Sequence, residues 1–412
     1  MQSTVLDSRY SWGRLGLSLL IGLIGNVGMW IVIMVMPAIQ AEFDLDRAQA
    51  SYPYVWTMVG FALGNFLIGM MVDRFGVVRV LSGMSLVMAA GFALAAASSG
   101  IGIVSLLHVL VGLGTAASFG PLIADVSLWF QRRRGIAIAV IASANYLSGA
   151  IWPVVLSGHL ASEGWRGVYL LLALIIAITV PPLTLLLRRR LPLSDMPETI
   201  AQGAAAGGIG GLSPRQIALI LGLAGVACCV AMSMPQVHIV ALCVDLGFGP
   251  AVGAEMLSLM LLGGVVSRLL SGVLADILGG VLTLLIGSTL QMLALFLYLP
   301  FDGLVSLYVV SAIFGLAQGG IVPSYAVIVR ELMPAREAGR WVGFVMMSTI
   351  VGMALGGWVS GVIYDLSGSY QLAFWNGIIW NLGNIGVITY IFVSAREKHA
   401  GHPARVHPKQ PA

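Results

Sequence analysis

The chain of 412 residues is 58% hydrophobic and only 9% charged, with a formal net charge of +4. Soluble domains carry roughly 25% charged residues, so a soluble globular protein and a disordered chain are both excluded. The 52 Gly and 10 Trp suit helices packed together in lipid, and the Lys and Arg stand in short clusters between apolar runs, a topology signal that implies no nucleic-acid partner.

About fourteen polar residues lead into an apolar run from Leu15 to Met36. It is too long for a signal h-region and lacks a small-residue cleavage site, so it reads as a retained first span. Roughly 20 apolar residues cross a ~30 Å hydrocarbon core. Such windows stand at 15–36, 54–72, 78–98, 103–124, 135–158 and 167–187, then at 216–242, 252–275, 280–299, 304–328, 340–363 and 371–394, predicting an all-α membrane protein of twelve transmembrane helices. Arg188 to Pro214 opens with three arginines and passes through the Gly/Ala-rich stretch 203–211, a flexible linker. The expected organisation is a six-helix bundle over 1–187, a cytoplasmic linker over 188–214, a second six-helix bundle over 215–394 and a cytoplasmic tail over 395–412. With both termini in the cytoplasm, all but three of the 21 Lys and Arg fall on that side. The exceptions are Arg47 and Arg166 on outer loops and Arg268 inside span 8. Cys228, Cys229 and Cys243 lack any metal-type spacing and read as packing residues, so no metal or cofactor is expected.

An internal repeat supports the two halves. Gly69, Asp73 and Gly76 after span 2 recur as Gly272, Asp276 and Gly279 after span 8, and Ser157-Gly158 recurs as Ser360-Gly361, each pair 203 residues apart. Gly60 with Gly64, Gly352 with Gly356 and Gly357 with Gly361 are close-packing pairs of the bundle.

Gly69, Asp73, Arg74 and Gly76 resemble the loop motif between spans 2 and 3 of the major facilitator superfamily, with its trailing basic pair reduced to Arg79. Asp73 can hydrogen-bond the start of a neighbouring helix while Arg74 or Arg79 pairs with carboxylates or helix C-terminal carbonyls, a gating latch repeated in part at Asp276. Trp129-Phe130, Arg134-Gly135 and Ala139, together with Tyr364-Asp365 and Ser369-Tyr370, are similar to the monocarboxylate transporter branch with its bacterial relatives and the oxalate/formate exchangers. The animal-type acidic residue opening span 1 is absent, Ser11-Trp12-Gly13 standing there.

Arg268 is the sharpest signal. An arginine at mid-helix costs roughly 2.5–3.5 kcal/mol on insertion scales and cannot shed its proton, so it must face a cavity or a partner. Its planar fork suits a carboxylate, and the resemblance implies that same role; a structural ion pair is the alternative. One fixed cation matches one carboxylate. The resembled dicarboxylate exchangers add a lysine in span 11, where this chain reads Phe344 to Thr349 without a base, so a monocarboxylate is expected. Carrying an anion against an inside-negative potential calls for a co-transported proton. Asp245 and His238, seven residues apart, share a helical face if span 7 continues past Pro235. The resemblance favours Asp245 as a proton acceptor paired to Arg268; a plain outer-loop Asp245 and a packed His238 remain the alternatives. Substrate walls are expected from Asn26, Phe119, Asn145 and Tyr146 of the first half and Gln318, Ser324 and Tyr325 of the second.

The expectation is therefore a secondary transporter of the bacterial inner membrane, a monomer moving a small lactate- or pyruvate-like monocarboxylate with a proton by alternating access. An organic anion exchanger is the rival. No metalloprotease or Ser-nucleophile motif supports an intramembrane enzyme.

Overall fold

The fold is that of a computed structural model, described for residues 6–189, 213–333 and 335–400, with the side chains of 335–339 and 395–400 outside the description. The expected linker and tail fall, over 190–212 and 401–412, outside the described residues.

All regular structure among the described residues is helical: α1 (Arg9–Gly25), α2 (Val27–Phe43), α3 (Arg47–Ala50), α4 (Tyr52–Phe75), α5 (Val77–Ala97), α6 (Ile101–Ala117), α7 (Gly120–Leu128), α8 (Arg134–Leu185), α9 (Pro214–Asp245), α10 (Pro250–Leu278), α11 (Gly280–Leu297), α12 (Leu304–Gln318), α13 (Ile321–Leu332), α14 (Ala335–Ser367) and α15 (Gln371–Ala400), with a 3-10 turn at Leu186–Arg188. Among these residues, 11 helical segments are long and apolar enough to cross a membrane. One of them, Arg134–Arg188, is two spans joined at Gly164, whose φ of 70° and ψ of −177° leave the helix. Resolving that segment at its hinge yields the twelve expected spans.

Three spans are broken at polar or glycine positions, and each break has a visible cause. Span 1 interrupts at Asn26, whose side chain donates to Gly22 O and to Ser118 O on the neighbouring span. Span 4 interrupts at Ser118 and Phe119, just before Gly120-Pro121, and span 10 at Gly319-Gly320. The last two breaks fall at nearly the same place in the two halves.

The repeat read from the sequence reappears in the backbone. Gly76 (φ 84°, ψ 153°) and Gly279 (φ 80°, ψ 164°) each end one helix and start the next in a conformation that L side chains rarely adopt. Gly112 lies against Thr57 O with no room for a Cβ, and Gly315, 203 residues on, lies in the same way against Met260 O. Asn65 and Arg268 occupy one further shared repeat position.

Two pseudo-symmetric six-helix bundles result. α4 packs along α6 and α5 along α8 in the first, and α9 packs along α14 and α15 in the second. Where the halves meet, α8 lies on α10, α3 and α4 lie on α14, and α2 lies on α9. The perimeter is apolar, with Phe66, Ile178, Leu223, Leu270 and Ile379 exposed, as lipid rather than water is the solvent there. An even number of spans puts the start of α1 and the end of α15 on one face, called here the terminal face; the loop of Asp44 to Ser51 lies on the far face.

Candidate functional site

The site is the seam between the halves, and every functional side chain on it is placed by its depth along a helix. Arg268 lies eighteen residues into α10, counted from Pro250 on the far face, or about 27 Å at the helical rise. It is half-buried. Its guanidinium stacks 4.2 Å above the ring centroid of Tyr146 on α8 and donates from Nη1 to Ala142 O (2.7 Å) and from Nε to Gly319 O (3.4 Å). Among the described residues the ion pairs are Arg14–Asp125, Arg47–Asp245 and Arg166–Glu42, and none involves Arg268. A ring and carbonyl oxygens orient its charge without neutralising it.

Tyr146, of the first half, reaches the second half at two points: its ring lies under this cation, and its hydroxyl donates to Gln318 Oε1 at 3.2 Å while Gln236 Nε2 of α9 donates to the same oxygen at 2.9 Å. Trp30 of α2 packs edge-on to Tyr146 at 5.9 Å. Gly264, one turn before Arg268 on the same face, lets the phenol approach: a Cβ there would meet the Tyr146 ring at 2.8 Å. Arg268, Tyr146 and Gln318, three of the expected substrate residues, are thus brought together.

The others are spent elsewhere. Asn145 Nδ2 donates to Asn26 Oδ1 (3.1 Å), so this pair braces the break in span 1 within the first half. Phe119 packs on Phe61 at 6.1 Å. Ser324 bonds back to Gly320 O, and Tyr325 donates to Asn384 Oδ1 (2.7 Å) deep inside the second half.

Asp245 corrects the expected pairing. α9 runs unbroken through Pro235 to Asp245, which brings that carboxylate to the far face, where α10 begins, eighteen residues before Arg268. Its partner is Arg47, whose Nη2 donates to both Asp245 oxygens at 2.8 and 2.9 Å. Asp365 of α14 accepts from the backbone N–H groups of Arg47 and Ala48, both at 2.8 Å. The Arg47 guanidinium also lies 4.8 Å from the Tyr364 ring centroid and 5.9 Å from that of Tyr370. Below it, His238 donates from Nε2 to Gly357 O (2.7 Å) and accepts at Nδ1 from Tyr370 O–H (3.0 Å), the packed arrangement weighed as its alternative. This cluster closes the seam on the far face.

The terminal face differs. Asp73, Arg74, Arg79 and Asp276 are exposed there. The expected latch is not engaged: among the described residues, no hydrogen bond or ion pair joins the two halves on the terminal side of Arg268. A carboxylate does cap a helix start in this region, but it is Glu331, which accepts from Gly280 N at 3.0 and 3.2 Å. Arg14, counted above as a topology marker, is buried in a bidentate pair with Asp125 (2.8 and 2.9 Å) and stacks 4.6 Å from Trp129. Trp129 and Phe130 of the family-like signature thereby anchor Tyr10, Trp12 and Arg14 of the first span.

Sequence reasoning missed the Arg47–Asp245–Asp365 cluster and Gln236. For the first a signal existed, because Arg47 and Arg166 defy the charge bias and both prove to be paired with acids. For Gln236 none did, a glutamine in a span being unremarkable until its partners are known.

The described residues form two helical bundles closed at one end of their seam, with a cation at depth between them. The sequence profile of the Major Facilitator Superfamily matches residues 18–237 and again 219–411, and the chain belongs to that family. Monocarboxylate transporter 13 of Bos taurus is 26% identical over 273 residues, 65% of this chain and 62% of that protein, so the match spans less than two thirds of the relative's length. The uncharacterized MFS-type transporter YcxA of Bacillus subtilis (strain 168) is 24% identical over 344 residues, 80% of this chain and 82% of that one. A bacterial homolog of the human lysosomal transporter Spinster, solved in an inward-facing and occupied conformation, shares the fold with a TM-score of 0.72 at 16% identity, covering 97% of this chain and 100% of that one. The protein is a multi-pass membrane transporter.

Proposed function

We propose that this transporter carries a small monocarboxylate together with a proton by alternating access, with both termini on the cytoplasmic face of an inner membrane and the monomer as the working unit. The observation that supports it is Arg268, a mid-depth guanidinium on the seam that stacks on Tyr146 and has no carboxylate partner among the described residues. A single planar fork selects one carboxylate, and a second carboxylate at this site would be desolvated without a partner. The name of the bovine relative points to the same substrate class. In this reading Asp245 carries the proton. Neutralising it frees Arg47 and opens the far face, while His238 supports that cluster through Tyr370. When the substrate is released, Asp73, Arg74, Arg79 and Asp276 form the opposite closure at the terminal face.

A second reading, exchange of organic anions, is favoured by one observation: among the described residues, no acidic side chain pairs with Arg268 to take the substrate's place when it leaves. Uptake into proteoliposomes separates the two. An imposed inward proton gradient accelerates uptake into empty vesicles if protons are carried, whereas uptake that requires anion preloaded inside the vesicles establishes exchange and defeats symport.

A further inference from the structure

Near the centre of the seam, Trp30 Nε1, Tyr54 Oη, Gln236 Oε1 and Gln318 Nε2 are buried with no hydrogen-bond partner. Native interiors rarely leave such groups unpaired, because each has lost its water without recovering a bond. The two glutamines are the informative pair. They share one hydrogen bond, at 2.9 Å, and between them keep one free acceptor and one free donor. Exchanging oxygen and nitrogen in both amides preserves that inventory, so it holds for either orientation.

Their position relative to Arg268 is set by a single ring. The face of Tyr146 carries the guanidinium, and its hydroxyl donates to Gln318. Gly264 faces both: a Cβ there would stand 2.8 Å from the Tyr146 ring and 3.4 Å from Gln318 Nε2. Gly264 and Arg268 are one helical turn apart on one face of α10, so the cationic fork and the amide pair are neighbours across one phenol.

We propose that the Gln236–Gln318 pair receives a hydroxyl adjacent to the substrate's carboxylate, and so selects a 2-hydroxy monocarboxylate over its 2-oxo and unsubstituted counterparts. This rests on the reading of Arg268 as the carboxylate site. A hydroxyl donates to the free acceptor and accepts from the free donor, satisfying both glutamines. A keto oxygen only accepts and strands Gln236 Oε1; a methylene strands both. Sites built to hydrogen-bond a substrate hydroxyl reject analogues lacking it more strongly than apolar pockets sort by size.

Isothermal titration of the purified full-length protein with 2-hydroxypropanoate, 2-oxopropanoate and propanoate tests this. The expected order of affinity is hydroxy, then oxo, then unsubstituted, with about tenfold or more between first and last. Gln236→Met and Gln318→Leu each bring the three acids within about twofold of one another, with the affinity for 2-hydroxypropanoate falling most, a selective loss that a purely structural role for the glutamines, which would lower all three alike, does not produce. Equal affinities in the wild type, or an unchanged order in whichever glutamine variant folds, overturns the hydroxyl subsite and leaves the carboxylate reading standing. If none of the acids binds the wild type, both readings fall.

Discussion

Two arginines bridge the halves, and they satisfy their charge in opposite ways. Arg47, 5% exposed, has a bidentate carboxylate at its guanidinium, a second carboxylate on its backbone and two tyrosine rings beside it. Arg268, half-buried, has two carbonyl oxygens and one ring. In the proposed reading the difference separates a fastener from a receptor. A guanidinium that the protein neutralises holds two walls together, while one left un-neutralised at mid-membrane keeps its strongest interaction for a mobile anion.

The largest expected effect removes the receptor side of this comparison. Arg268→Lys exchanges a planar fork for a point charge and is expected to lower monocarboxylate uptake in proteoliposomes by roughly 30-fold or more, with membrane insertion and melting temperature retained. Wild-type uptake in that variant would falsify the assignment.

The fastener side comes next. Asp245→Asn or Arg47→Ala leaves a charge unpaired at the far face, and closed-state stability is expected to drop by about 1–3 kcal/mol. Spin labels at Glu163 and Ser369 are expected to report a longer separation. Swapping the charges, with Arg47→Asp and Asp245→Arg together, recovers most of the closed population; no recovery would mean that the pair does not hold the face shut.

Smaller still is Gly264→Ala, whose methyl displaces the Tyr146 ring from beneath Arg268. Substrate affinity is expected to fall several-fold, about 1 kcal/mol, with the far face still closed. Unchanged affinity would remove Tyr146 from the site.

A carboxylate that touches neither arginine serves as the control. Asp7 is partly desolvated, which opposes ionisation, but backbone N–H groups of Arg132, Gln131 and Arg133 and the charge of Arg132 hold its pKa below the usual 3.8. A depressed carboxylate contributes stability above its unfolded pKa and loses it as pH falls through the folded one. Hydrogen exchange at residues 131–133, corrected for intrinsic rate, is therefore expected to quicken below about pH 4, and at neutral pH in Asp7→Asn, with uptake unaffected. Wild-type protection at neutral pH in Asp7→Asn would remove Asp7 as the anchor of this loop.

The scaffold was legible because lipid imposes long apolar windows, and only helices satisfy the backbone there. Even the single-residue turn at Gly164 fell between the predicted windows 135–158 and 167–187. Gly76 and Gly279 are repeat partners in the sequence and share one backbone geometry. Arg268 was legible because an unshielded guanidinium in a span is expensive. Asp245 was misplaced because the resemblance supplied a partner where helix depth forbids one, and counting residues from Pro250 would have shown the separation. Tyr325 and Asn145 looked like site residues because a polar side chain in a span gives no sign of which half will satisfy it; only the packing of α13 against its own bundle, and of Asn26 beside Asn145, decides.

The duplication leaves one address unused. Asn65 holds in the first half the repeat position that Arg268 holds in the second, and its amide does no more than bond back to Phe61 O. Charge stands on one member of this matched pair, and its twin is neutral. A cation could be set at that twin, at the matching level of the first bundle, through one codon change and without rebuilding a helix.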